Sequence, residues 1–354
     1  MLRPKPGVIG TCPGPRGRST TLGYRQTDPG QERPCRAEKT RAGPLRSVKK
    51  FYGELMMTET VIPYTFGWVH ESPDIRDFSP QHKSIAPLLK KMNLSLSATK
   101  AKIPASADLR QWCAKVENQK NLGSCTANAG VGLVEYFVNR VYQKNLDLSR
   151  LFLYKTTRNL LGWTGDSGAT LRSTMGAMVL FGVPPEKYWP YTDKNGTEPD
   201  GFDREPPAFC YAFAGNFKPL MYYKLDPPAY TKAQVLENIK MHISGGLPAM
   251  FGFTVYRSIT QAETKGLIPF PCPKDIVAGG HAVVAVGYDD RLRIKNSDCG
   301  ATTTGALLIR NSWGSAWGDK GYGWLPYDYV TRGLAVDWWT LIKNDYVGTE
   351  IFGF

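Results

Sequence analysis

Histidine is scarce in this sequence, and the few histidines are scattered. Among 354 residues only His70, His82, His242 and His281 occur. No His-x-x-x-His or Cys-x-x-Cys spacing is present, and zinc sites in proteins usually need such pairs. The sequence therefore predicts no metal site, and nothing in it indicates a cofactor.

Long apolar runs are missing as well. No window of 18 consecutive apolar residues occurs, and the N-terminal region lacks the apolar stretch of a secretory signal. A membrane-spanning helix would require such a run. We therefore expect no membrane association. A cytoplasmic location fits the missing signal, although the sequence leaves the compartment open.

The cysteines do not form the pattern of a disulfide framework. Their number is odd and their spacings are irregular: Cys12, Cys35, Cys113, Cys125, Cys210, Cys272 and Cys299. Without a secretory signal, mostly reduced thiols are expected. The sequence leaves open whether Cys113, Cys210, Cys272 and Cys299 are paired in disulfides.

Positive charge is abundant, but it is concentrated at one end. The chain carries a formal net charge of +13. Residues 1–50 hold twelve Lys or Arg against three acidic residues, a net of +9, which leaves +4 for the other 304 residues. A nucleic-acid-binding domain would place such charge on a folded surface. The distribution therefore argues against a nucleic-acid partner.

The chain is expected to have three parts. Residues 1–55 are rich in Gly, Pro and Arg and lack apolar periodicity, which predicts a disordered basic tail. An over-extended translation start at this end is one explanation of the tail, and the sequence does not decide it. Residues 56–102 are interpreted as a leader, and residues 103–354 as the main domain.

The pattern of apolar residues changes from helical to strand-like along the main domain. Helical spacing of apolar residues dominates about 115–212, and short β-branched or aromatic runs separated by Gly, Asp and Asn dominate about 213–347. A helical lobe followed by a β lobe is an α+β arrangement, and a cleft between such lobes is a common place for a site.

Cys125 is the candidate nucleophile. It lies in "NLGSCTANAG", where a tight Gly-Ser pair precedes the first residues of an amphipathic helix. The positive end of a helix dipole favours a thiolate at this position. A lone cysteine taken by itself is more often a small buried apolar residue. The interpretation therefore depends on whether suitable partners exist.

His281 is the candidate general base and acid. It follows Gly279-Gly280 and opens the apolar run "HAVVAVGY", so its ring is expected at a strand end on a cleft wall. His70 and His82 fall in the leader. His242 comes late in a helical stretch, which is more typical of a core or solvated histidine.

Two further residues fit the same chemistry. Asn311, in "NSWGSAWGDKGYGW", is a neutral acceptor that would orient the imidazole, with Trp313 and Trp317 screening that contact from water. Gln119, six residues before Cys125, would donate a hydrogen bond to the oxyanion of a tetrahedral intermediate.

This combination of residues resembles the papain-like cysteine peptidases. The segments "IPASADLR", "HAVVAVGY" and "NSWGSAWGDKGYG" carry the resemblance, which extends from about residue 103 to 347. It implies a two-lobed fold with a β-barrel-like C-terminal lobe, and an endopeptidase with an acyl-enzyme intermediate. Cys125 would be the nucleophile, His281 the base and acid, Asn311 the orienting residue and Gln119 the oxyanion donor.

The resemblance also suggests how substrate is held. Gly168 and Ala169, in "GDSGATLRSTMG", would bind an extended peptide through their backbone. The pocket for the substrate residue second upstream of the cut would be lined by Thr170, Leu171, Gly280 and residues near Gly279.

Three positions depart from the family pattern. Leu122 and Asp166 stand where the family has the two cysteines of a disulfide, and Thr126 stands where it has an aromatic residue. Loss of both cysteines together fits a reduced compartment. The sequence texture and the short "GW…PD.RD" leader are more similar to bacterial members of the family than to lysosomal or plant-latex members.

The leader and the activity each leave alternatives. The leader is interpreted as a segment that covers the cleft and inhibits the enzyme in the same chain, the alternative being a flexible extension. A peptide or protein substrate and a monomer are expected. Two other functions stay open, namely transglutaminase-like acyl transfer and a catalytically inactive peptide-binding module.

Overall fold

The computed structural model describes residues 62–94, 103–217 and 221–342. All of these residues belong to one compact unit, Thr58–Phe354. The predicted tail over residues 1–55 lies outside the described ranges. Within those ranges, no helix is long and apolar enough to cross a bilayer.

Helices dominate the first half of this unit. They are α1 (Ala86–Lys91) in the leader, followed by α2 (Cys125–Tyr142), α3 (Arg150–Leu161), α4 (Leu171–Phe181) and α5 (Ala208–Ala214). Ser149 and Thr170 fix the starts of α3 and α4, because their hydroxyl groups accept a hydrogen bond from the backbone N–H three residues later. Residues 125–137 of α2 are all buried, so α2 is the central helix of this lobe.

The second half is built on one antiparallel sheet. Its strands are β1 (Ser106–Asp108), β2 (Met221–Lys224), β3 (Ala249–Tyr256), β4 (Val277–Lys295), β5 (Thr302–Arg310), β6 (Tyr322–Pro326) and β7 (Ala335–Ile342), with α6 (Lys232–Ser244) and α7 (Tyr327–Thr331) between them. The strand order is β2-β7-β3-β4-β5-β6, and β1 pairs with β4. Within the described ranges β2 and β6 do not pair with each other. The expected barrel-like closure is therefore corrected to an open sheet.

The start of the main domain belongs to the β lobe in space. Residues 106–108 of β1 pair with residues 287–289 of β4. The chain thus joins the sheet before it enters the helical lobe. Sequence periodicity does not reveal this, because a three-residue strand carries too short a pattern.

A disulfide bond joins Cys272 to Cys299, with their Cα atoms 6.1 Å apart. Cys299 lies at the tip of the β4–β5 hairpin, which folds back onto the loop before β4. The expectation of reduced thiols does not hold for this pair. Cys113, Cys125 and Cys210 are free thiols, and Cys12 and Cys35 lie outside the described ranges.

The two lobes meet where α2 packs against β4. This arrangement confirms the α+β, two-lobed fold expected from the sequence. It brings Cys125, the first residue of α2, towards His281 in β4 and towards Asn311, which follows β5.

Candidate active site

Cys125 lies at the N-terminus of α2, as the sequence predicted, and it is fully buried. Burial raises the pKa of its thiol to about 11, because the charged thiolate would lose its hydration. Nearby backbone groups, chiefly those of Ala282 and Gly67, lower the thiol pKa but do not offset this effect. In this covered state the thiol is therefore neutral.

His281 lies in β4 opposite Phe253 of β3 and is also fully buried. Its Nε2 is 2.8 Å from Oδ1 of Asn311. Burial lowers the pKa of the ring to about 4, and the hydrogen bond with Asn311 opposes this only in part. Nδ1 has no hydrogen-bond partner among the described residues, so the nitrogen not bonded to Asn311 remains available for proton transfer.

Asn311 and Gln119 are held by the same residue, Ser312. Oδ1 of Asn311 accepts the backbone N–H of Ser312 at 2.8 Å, which turns the amide oxygen towards the ring. The Ser312 hydroxyl donates to Oε1 of Gln119 at 2.6 Å. This leaves Nε2 of Gln119 as a donor, and it binds the carbonyl oxygens of Thr65 and Leu122 at 3.0 and 2.9 Å.

Of the two tryptophans expected to screen the imidazole, Trp313 lies against the ring and Trp317 lies behind Trp313. The ring of Trp313 stacks on His281 with centroids 4.5 Å apart. Trp317 meets Trp313 edge-on at 5.2 Å. Both tryptophans are buried, so they exclude water from the contact between His281 and Asn311.

The other histidines lie elsewhere. His242 is buried in α6, where Nδ1 is 2.7 Å from the Asn238 carbonyl oxygen and burial lowers the ring pKa to about 4. His70 packs edge-on against Trp68 and His82 stacks on Phe78, all within the leader. Among the described residues, no group of His, Cys, Asp and Glu is arranged to hold a metal ion.

The leader passes through the predicted substrate-binding positions. Ala169 donates its N–H to the Gly67 carbonyl at 2.8 Å and accepts the N–H of Val69 at 3.0 Å, so the two segments pair in parallel. The Trp68 N–H donates to the Gly280 carbonyl at 3.1 Å. Gly168 allows this close approach, since a Cβ there would lie 2.3 Å from the Gly67 carbonyl oxygen.

Thr170 and Leu171 were expected to line a substrate pocket, but their described contacts lie within the helical lobe. The Thr170 hydroxyl accepts the Ser173 N–H and caps α4, and Leu171 is completely buried. The described side-chain hydrogen bond of Thr170 is thus local to the helix.

Asp166 takes over the link that the absent disulfide would make. Its two carboxylate oxygens accept the Gly123 N–H at 2.9 and 3.1 Å, and Oδ1 also accepts the Tyr154 hydroxyl at 2.6 Å. Gly123 directly follows the buried Leu122. A carboxylate therefore holds the loop before Cys125 to the segment that the sequence resemblance assigns to substrate binding.

Several contacts of the site could not be assigned from the sequence. Tyr64 stacks on Trp313 at 4.1 Å, and the Trp68 indole donates to Asp337 at 3.4 Å. Arg172 binds Asp77 of the leader. The aromatic and acidic residues of the leader were a signal that it contacts the domain, but their partners depend on the fold.

Comparisons with known proteins agree with this geometry. A family profile described as papain family cysteine protease matches residues 103–335. A peptidase C1-like protein of Acanthamoeba polyphaga mimivirus is 31% identical over 301 residues, covering 80% of this chain and 89% of that protein. Xylellain, a cysteine protease from Xylella fastidiosa, is 32% identical with a TM-score of 0.61, covering 78% of this chain and 95% of its own. Procathepsin L 3 of Tenebrio molitor shares the fold with a TM-score of 0.52 at 20% identity, covering 73% and 78% of the two chains.

Proposed function

As a member of the papain family of cysteine proteases, the protein is a cysteine-type peptidase, and we propose that it is an endopeptidase using Cys125, His281 and Asn311. The observation that carries this proposal is the imidazole of His281. One of its nitrogens is bonded to Asn311, while the other is unpaired beside the loop and helix that hold the thiol.

The proposed reaction has two halves. The Cys125 thiol gives its proton to His281, and the thiolate attacks the scissile carbonyl while Nε2 of Gln119 and the Cys125 N–H bind the oxyanion. Collapse of this intermediate breaks the C–N bond, and the imidazolium protonates the leaving amine. Water, deprotonated by His281, then attacks the thioester, which releases the acid and regenerates the thiol.

A covalent probe tests the assignment of the nucleophile. A peptide carrying an epoxide or vinyl sulfone is expected to label Cys125, and Cys125→Ala is expected to abolish labelling and peptide cleavage together. Mass spectrometry of the labelled peptide identifies the site. Labelling at Cys113 or Cys210 in the variant, with cleavage intact, would contradict the proposal.

Two alternatives give different products in the same assay. A transglutaminase-like enzyme would transfer the acyl group to an added amine, so its amide product would grow with amine concentration. An inactive peptide-binding module would bind peptides without any product. The presence of Cys125, His281, Asn311 and Gln119 together supports hydrolysis over an inactive module, and Ser312 hydrogen-bonds both Gln119 and Asn311.

We also propose that the leader is an intramolecular inhibitor. Its support is the position of Thr65, whose carbonyl oxygen accepts the Gln119 N–H that an oxyanion would need. Phe66 and Tyr64 pack against His281 and Trp313, respectively. A segment tethered to the domain has a high effective concentration, so modest contacts suffice to occlude the site.

Arg172 provides the charged part of this interaction. Its Nε and terminal nitrogen donate to both oxygens of Asp77 at 2.8 Å, and a further nitrogen lies 3.4 Å from Glu71. The Asp77 side chain is about 10% exposed in this pair, so salt screens it less than a surface pair. We therefore expect the inhibition to weaken with Arg172→Ala more than with high salt.

A further inference from the structure

The hydroxyl group of Tyr191 contacts both sides of the proposed oxyanion hole. Tyr191 lies in the loop between α4 and α5. Its Oη donates to the carbonyl oxygen of Gln119 at 2.7 Å and lies 2.6 Å from Oγ of Ser124. Gln119 carries one proposed oxyanion donor, and Ser124 directly precedes Cys125, whose N–H is the other. One hydroxyl group therefore joins the residues that present the two donors.

The protons of this contact can have only one arrangement. A carbonyl oxygen cannot donate, so the Tyr191 proton goes to Gln119. Ser124 must then donate its own hydroxyl proton to Oη, and its Oγ accepts from Nδ2 of Asn128 at 3.1 Å. Burial raises the pKa of Tyr191 well above its ordinary value, although the Ser124 hydrogen bond and Arg150 oppose this. The phenol thus keeps the proton that it donates to Gln119.

Two charged residues hold Tyr191 in place. The Tyr191 N–H donates to Oε1 of Glu186 at 2.6 Å, and the central carbon of the Arg150 guanidinium lies 4.2 Å from the centre of the Tyr191 ring. Arg150 begins α3, is buried and lies 3.7 Å from Glu186. It also donates to the carbonyl oxygen of Asn118 and to Oδ1 of Asn128, both at 3.3 Å. The backbone and the ring of Tyr191 are therefore both held, which fixes the position of its hydroxyl group.

The segment that Tyr191 contacts is an irregular turn. Residues 119–124 form no helix or strand. Leu122 donates its N–H to the same Gln119 carbonyl at 3.3 Å, a longer bond than that from Tyr191. Lys120 has a φ of +50°, which is uncommon for a residue other than glycine. A contact from outside that holds both ends of this turn therefore fixes its shape.

Resting on the peptidase function proposed above, we propose that Tyr191 is a positioning residue for the oxyanion hole. It acts through Gln119 and the residue before Cys125 rather than on the substrate. Donors that are fixed before the reaction stabilise a developing oxyanion, whereas loosened donors must reorganise while the charge develops. Loss of the hydroxyl group should therefore affect the chemical step more than substrate binding.

Tyr191→Phe tests the proposal because it removes the hydroxyl group and keeps the ring. On the full-length chain, with a quenched fluorescent peptide taken from a cleavage library, we expect kcat to fall about tenfold and KM to change less than about twofold. Alkylation of Cys125 by iodoacetamide forms no oxyanion, so its rate should stay within about twofold of the wild-type rate. This rate also reports how far the leader covers the thiol.

Tyr188→Phe is the matched control. It removes a hydroxyl group from the same loop, on a ring that packs against Phe209 and Phe213. Both cleavage and alkylation should keep their wild-type rates in this variant.

A double-mutant cycle separates positioning from a general loss of structure. In a Gln119→Ala chain one donor is already absent, so adding Tyr191→Phe should lower kcat by less than about threefold. A substitution that only weakened the fold would cost the same factor in both backgrounds. Ser124→Ala breaks the contact from the other side and should also lower kcat. If thermal unfolding shows that Tyr191→Phe is not folded, Ser124→Ala decides.

The outcomes separate the two proposals. A kcat of folded Tyr191→Phe within about twofold of the wild-type value, or an equal loss in the Gln119→Ala background, would overturn the role of Tyr191. Absence of cleavage by the wild-type chain would overturn the peptidase function instead. In that case NMR of the chain labelled with 15N-glutamine decides on Tyr191. The side-chain amide resonance of Gln119 should shift in Tyr191→Phe and not in Tyr188→Phe, and an unchanged resonance would overturn the positioning role.

Discussion

The substitution Gly67→Ala tests the inhibitory leader without changing the domain that it covers. A Cβ at position 67 would lie 1.8 Å from the carbonyl oxygen of Gly123. Gly123 precedes the nucleophile and its N–H is held by Asp166, so this backbone cannot easily retreat. The leader of the variant is therefore expected to leave the cleft near Cys125.

The size of the effect follows from the contacts that would be lost. The leader makes three backbone hydrogen bonds with Ala169 and Gly280, and its Thr65 carbonyl accepts one from Gln119. At about 0.5–1.5 kcal/mol each, four hydrogen bonds contribute roughly 2–6 kcal/mol to covering the site. Even the lower figure corresponds to about a thirtyfold rise in the accessible fraction.

The assay is the rate at which a peptidyl epoxide labels Cys125. Gly67→Ala should react at least about thirtyfold faster than the wild-type chain, while Ile75→Ala, at an exposed leader position, should react at the wild-type rate. If Gly67→Ala and the wild-type chain label within a factor of two of each other, the leader does not cover the thiol in solution.

Three other expectations follow from the site. Gln119→Ala should lower kcat on the order of a hundredfold to a thousandfold while Cys125 still reacts with the probe, and Asn311→Ala should cost less because the base remains; an unchanged kcat in Gln119→Ala would refute the oxyanion role. Asp166→Ala should lower the free energy of unfolding in urea by about 1 kcal/mol, since Gly123 and Tyr154 lose their acceptor, and an unchanged midpoint would contradict this. The pH profile of kcat/KM should be a bell, whereas a rate that climbs through pH 10 would exclude an imidazolium partner.

The candidate catalytic residues could be selected from the sequence because each carries a local signal. Cys125 begins an apolar helix, His281 begins the apolar run within β4, and Asn311 lies in an aromatic turn after β5. These patterns depend on neighbours within a few residues. The lobes could be predicted for the same reason, since helical and strand periodicity occupy different halves of the chain.

The remaining features depend on contacts between distant residues. Asp337 meets Trp68 across 269 positions, and the bulge that presents it arises from the register between β3 and β7. Cys272 and Cys299 come together only through the turn of the β4–β5 hairpin. The open sheet likewise follows from which strands lie at its edges, which the apolar pattern of a single strand does not specify.

The burial of Cys125 and His281 links inhibition to protonation. In the covered state the thiol pKa is raised to about 11 and the imidazole pKa is lowered to about 4, so both groups are neutral at pH 7. An uncovered imidazole has its ordinary pKa of about 6.5, so it binds a proton at pH values where the covered imidazole stays neutral. Between pH 6.5 and 4 the uncovered form therefore gains protons, and acidification shifts the equilibrium towards it. In the inhibition proposed here, the Thr65 carbonyl would therefore take the donor that an oxyanion needs, and burial under the leader would keep the thiol neutral.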